Sequence, residues 1–157
     1  NKDLLILLVA IAIVAVSNDQ VLFLYIEDKS TISLVQLLSS FVLFISIVNS
    51  PMGIRFRNFY FSLIWVLSAT FFYMSSENKI TLLPLLGFSI YQVFRMIYWA
   101  LYNQELIPNF ISRSGFDFRF SKAVNRKADN SDFLFSMLLF LFGMAVMVIY
   151  MIFVVRK

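Results

Sequence analysis

Residues 133–155 read FLFSMLLFLFGMAVMVIYMIFVV, twenty-three positions without a single charge. A helix rising about 1.5 Å per residue needs roughly 20 apolar residues to cross a hydrocarbon core of about 30 Å, so this run is long enough to span a bilayer. Asn130, Ser131 and Asp132 precede it as capping candidates, and Arg156 and Lys157 close it.

Working back from that run, four more apolar blocks appear, at 4–26, 32–49, 59–75 and 81–102. The first reaches spanning length only if one helix continues through Ser17, Asn18, Asp19 and Gln20, and the reading takes it as continuous. A signal peptide is the lesser alternative, because no small-residue cleavage site follows the apolar run. Asn rather than Met at position 1 points to N-terminal trimming. Pro51 and Gly53 end the second block, and Thr81 with Pro84 opens the fourth as N-cap and first-turn residue. Short connections imply antiparallel neighbours. The expected fold is an all-α polytopic membrane bundle of about five spans in one domain, with a polar and basic segment, 103–132, before the last.

Composition agrees. The chain of 157 residues is 61% hydrophobic and 14% charged, with mean hydropathy +0.83, against about 25% charged in ordinary soluble domains. The absence of Cys and His excludes thiolate chemistry, disulfides and most zinc, haem or redox-metal sites, and no cofactor is expected. The net charge of +4 is read as membrane orientation rather than nucleic-acid binding, because the basic residues flank apolar segments. With five spans and the N-terminus inside, eight Lys and Arg fall on the inner side and four outside. The expectation is therefore N-in and C-out, in a bacterial cytoplasmic membrane or an organellar equivalent.

Arg95 is the one full charge well inside a block, and an intramembrane Arg is costly enough to mark a candidate site. Gln92, Trp99 and Tyr102 share its helical face, with Ser89 one turn earlier and Asp19 as an opposite charge if the helices meet. Snorkelling to lipid phosphates is the competing reading. In the second block, Gln36, Ser39, Ser46 and Ser50 form a polar face suited to close helix packing, or to lining a pore in an oligomer.

The segment Arg113, Phe116, Phe118, Arg119, Phe120 and Lys122 interleaves aromatic with basic residues. It reads as an interfacial stretch among anionic head groups, or as a partner-docking loop. No Gly-rich phosphate loop, nucleophile elbow, zinc-protease motif or intramembrane carboxylate pair is present. By elimination, the sequence is read as a noncatalytic membrane subunit that scaffolds, anchors or regulates a larger complex. The expected partners are membrane lipids and other membrane subunits or copies of itself, not nucleic acid. A homo-oligomeric channel is the alternative, and a small toxin, holin or immunity protein a third.

Overall fold

The computed structural model describes residues 2–22, 24–26, 28–49, 55–107 and 129–155, and among these every regular element is helical. Five helices carry the fold: α1 (Lys2–Val16), α3 (Lys29–Asn49), α4 (Phe59–Met74), α5 (Leu83–Tyr102) and α6 (Asn130–Val155). A four-residue helix, α2 (Asp19–Leu22), follows α1, and a 3-10 turn, Lys79–Leu82, leads into α5.

Three segments are long and apolar enough to cross a membrane: Lys29–Ile47, Lys79–Tyr102 and Asn130–Phe153. They fit an integral membrane protein. Helices α1 and α4 are also apolar but have only 15 and 16 residues, or about 22 and 24 Å of rise.

The expected continuous helix over 4–26 is divided. The Asn18 amide leaves the α-helical register for the Ala15 carbonyl at 3.4 Å, and the Asn18 carbonyl starts α2 by accepting from Val21 and Leu22. The division has a tertiary cause. Gln36 of α3 donates to the Ser17 carbonyl at 3.4 Å, and the Ser17 hydroxyl donates to that of Ser39 at 2.6 Å. These bonds satisfy backbone and side-chain groups that the end of α1 exposes. Ser17 and Asn18 are both buried, as irregular backbone next to an apolar bundle must be.

Capping also differs from expectation at α5. Thr81 lies inside the 3-10 turn and donates to the Asn78 carbonyl at 2.7 Å. Asn78 caps that turn, accepting from the Ile80 amide at 3.1 Å, while the residue before α5, Leu82, makes no side-chain capping bond. Pro84 does sit in the first turn, where a missing amide costs nothing.

Helices α3 and α5 make the central packing. Ile32, Gln36, Ser40, Leu43, Phe44 and Ile47 are buried along one face of α3, at the three- and four-residue spacing of a helical stripe. Gly87 permits the close approach, since a Cβ there would stand 2.8 Å from Cδ2 of Phe44. Phe56 centres an aromatic cluster, with edge-on contacts to Phe61, Trp65 and Phe88 at centroid distances of 5.4, 5.8 and 4.9 Å. Each such pair adds about 0.5–1.5 kcal/mol beyond area burial.

Two polar belts bound the bundle. One holds Ser17, Gln36, Ser39, Asn78 and Lys79, with Tyr150 donating to the Lys79 carbonyl at 2.6 Å. The other holds Arg57, Arg95, Glu105 and Asp132. From Asp132 to Tyr150, eighteen residues along α6, the separation is about 27 Å.

Candidate functional site

The site grows from the end of α5. Asn103 adopts the left-handed conformation at φ 51°, and its amide closes on the Trp99 carbonyl at 2.8 Å. This is the αL termination that Asn tolerates among non-glycine residues. The turn brings the following segment back along the helix, so that Glu105 meets Arg95. Nε of Arg95 donates to Oε2 at 2.9 Å and Nη2 donates to Oε1 at 2.8 Å. The fork is bidentate, the strongest geometry available to this pair.

Two more groups complete the guanidinium's surroundings. Nη1 donates at 3.4 Å both to the Phe56 carbonyl and to Oε1 of Gln92. The same Phe56 carbonyl accepts from the Ser62 hydroxyl at 2.8 Å, so one backbone oxygen joins α4, α5 and the segment between α3 and α4. Nε of Arg57 stands 3.8 Å from Oε1 of Glu105. Side-chain exposures of 23% for Arg95 and 25% for Glu105 place the pair at the rim rather than in the dry interior. The hydrogen bonds from Arg95 hold the Glu105 carboxyl below its ordinary range, against an opposing push from burial.

Asp132 ties the same end of the bundle a second time. Wholly buried, it accepts from the Ile107 amide at 2.9 Å through Oδ1 and from the Asp129 amide at 3.0 Å through Oδ2. Asp129 reciprocates, its Oδ1 accepting from the Asp132 amide at 3.0 Å. The result is an acidic version of the capping box at the start of α6. Ser136 donates to the Ile107 carbonyl at 3.4 Å, and the hydroxyls of Tyr98 and Ser131 lie 3.0 Å apart. Residues 105–107 and 129–136 are thereby fastened to each other and to α5.

The sequence-derived candidates divide accordingly. Arg95 and Gln92 meet, whereas Ser89 donates to the Leu85 carbonyl of its own helix at 3.0 Å. An opposite charge beside Arg95 comes from Glu105; the side chain of Asp19, the expected partner, lies outside the described residues. Gln36 and Ser39 meet Ser17, while Ser46 donates to the Val42 carbonyl of its own helix at 2.7 Å. The buried polar face of α3 therefore runs through Gln36 and Ser40 rather than through Ser39 and Ser46. Ser50 and the loop residues Arg113, Phe116, Phe118, Arg119, Phe120 and Lys122 lie outside the described residues.

Sequence reasoning missed Glu105 in the site and Gly87 at the α3–α5 crossing, and it named Asp132 only as a capping candidate, not as the partner of the Ile107 amide. Asn103 is the available signal for Glu105, because a helix ending on an αL-tolerant residue sends the next few residues back past its last turns. Among the described residues no three acidic side chains converge as a metal site requires. Comparison with protein-family models, curated proteins and solved structures finds no match for the chain.

Proposed function

We propose that the chain is a noncatalytic integral membrane subunit that anchors or scaffolds a larger membrane complex and presents its basic segment, 108–128, to a partner at the inner face. One observation carries this reading: both ends of that segment are fastened to the bundle, by Arg95 with Glu105 on one side and by Asp132 with Ile107 on the other. Arg95, the costly charge, serves as a fastener at the belt. Fixed ends reduce the entropy a segment loses when it docks.

In this reading all five helices lie in the bilayer, with the N-terminus inside. The 15 and 16 residues of α1 and α4 nearly match the separation of the polar belts, and a hydrocarbon core somewhat thinner than 30 Å accommodates them. Orientation follows the excess of Lys and Arg at the belt that holds Arg57 and the basic segment. Anionic head groups would then surround the segment as lipid partners.

Photo-crosslinking tests the docking. A crosslinker placed at Phe116 or Phe120 in native membranes is expected to yield one discrete adduct with a different membrane polypeptide, and Glu105→Gln is expected to weaken it. Adducts with lipid alone would contradict the reading. Adducts with further copies of this chain would favour the channel instead.

A further inference from the structure

Exposed apolar side chains on α6 run from Phe133 to Phe153, twenty residues apart, a band of about 30 Å. On α4 the corresponding band runs from Phe59 to Met74, fifteen residues apart, about 22 Å. Both start beside the belt that holds Arg95 and Asp132, since the Phe56 carbonyl before α4 accepts from Arg95, and Tyr98 of α5 meets Ser131 before Phe133. The difference therefore falls at the opposite end. There the chain leaves α4 at Ser75 and reaches Lys79 through Glu77, both charged residues being exposed.

Tyr150 fixes the height of this turn. Its hydroxyl donates to the Lys79 carbonyl at 2.6 Å, and a helical side chain leans toward the N-terminus of its own helix, so that carbonyl lies level with Tyr150 or below it. Helix α6 continues five residues beyond Tyr150, to Val155, with Ile152 and Phe153 exposed, an overrun of about 8 Å. Helix α3 rises beside it, because Leu37 and Leu38 share a groove with Met151 and Ile152, and α3 begins eight residues earlier at Lys29.

We propose that the turn between α4 and α5 draws the phospholipid head groups of its leaflet inward, thinning the bilayer beside α4 while α3 and α6 hold it at ordinary thickness. The inference rests on the reading that α4 lies in the bilayer. Residues 75–78 are irregular backbone, which does not occur in contact with hydrocarbon because its amides and carbonyls would go unsatisfied there. Glu77 and Lys79 add two charges that are costly at that depth. Tilt gives no relief, since it shortens the projection of a band that is already short. Nor does extension of the helix, because α4 is closed by the Asn58 side chain on the Tyr60 amide and by the Ser75 amide on the Phe71 carbonyl. Sliding the bundle outward would free the turn, but it would draw Arg95 and Glu105 into hydrocarbon and push Phe153 into water. The lipid is what yields.

Spin labelling tests the shape of the boundary. The chain has no Cys, so Leu67→Cys, Lys79→Cys and Phe153→Cys, all at exposed positions, each give one labelled site. In dioleoyl phosphatidylcholine liposomes, collisions with oxygen, which concentrates in hydrocarbon, and with a water-soluble nickel chelate rank the labels by depth. The label at 79 is expected to meet mainly the chelate. The label at 153, although farther out along the bundle, is expected to meet mainly oxygen, an inversion of the order that a flat boundary gives. Chelate access at 153 equal to or above that at 79, or a label at 79 shielded from the chelate, would overturn the proposal. The label at 67 separates the two ways of failing. Oxygen-rich collisions there with a flat boundary would reject the thinning alone, whereas chelate access there would reject α4 as a span and the thinning with it.

Discussion

Arg95 and Glu105, ten residues apart, face each other through two parallel charge-assisted hydrogen bonds of 2.9 and 2.8 Å across the left-handed turn at Asn103. A guanidinium near hydrocarbon is tolerated when a carboxylate shares its desolvation, and each partner is costly without the other. The pair also fixes the start of the basic segment and touches the segment before α4 through the Phe56 carbonyl.

Removing either partner leaves the other charge half satisfied. Glu105→Gln and Arg95→Gln are each expected to destabilise the bundle by about 1–3 kcal/mol, less than a fully buried pair because water screens this one. The double variant should lose less than the sum of the two. Thermal unfolding of the four proteins in one detergent measures the coupling, and strict additivity would show that the pair contributes nothing.

Asp132 closes the other end of the segment. Asp132→Asn keeps the shape and exchanges one acceptor oxygen for a donor, so one of the amides of Ile107 and Asp129 loses its partner. The expected cost is about 1–3 kcal/mol. Hydrogen exchange should accelerate at residues 105–107 and 129–132 while α3 stays protected. Uniform acceleration across all helices would indicate global loosening instead.

Gly87→Ala inserts a methyl group 2.8 Å from the buried Phe44 ring. Overpacking is expected to cost about 1–3 kcal/mol, offset in part by alanine's better helix propensity of about 1 kcal/mol. Phe44→Leu in the same chain should recover part of the loss by making room. A Gly87→Ala protein as stable as wild type would mean that α3 and α5 separate freely at this crossing.

Acid should loosen the start of α3 and the belt that holds Glu105. At the start of α3 the Asp28 carboxyl is drawn down to about 2 by the hydroxyls of Ser30 and Thr31 and their amides. Glu105 is likewise held below its ordinary range. Because both folded values are depressed, the stabilisation is complete above the unfolded carboxylate range and is lost as pH falls through the folded values. For Asp28 that window is about pH 4 to about 2. Unfolding temperatures measured from neutral to acid pH should fall in this region, and Asp28→Asn together with Glu105→Gln should flatten the drop.

Much of the helical framework is legible in the sequence because apolar runs and their punctuation are local. The runs ending at Asn49 and beginning at Phe59 correspond to helix boundaries, and Pro84 marks a first turn. What escapes is tertiary. The end of α1 at Val16 depends on Gln36 and Ser39 standing opposite Ser17, which no window over residues 4–26 reveals. Arg95 is conspicuous as a lone charge, but its partner is reached around a turn whose handedness is set by Asn103. Gly87 carries no signal until Phe44 is known to lie against it.

The most direct measurement of the central claim is the mass and composition of the wild-type particle, extracted in mild detergent and weighed by native mass spectrometry. A fixed ratio of this chain to a different membrane polypeptide is expected, lost when residues 108–128 are replaced by a flexible linker. A monodisperse particle of this chain alone, single or as a ring, would contradict the subunit reading.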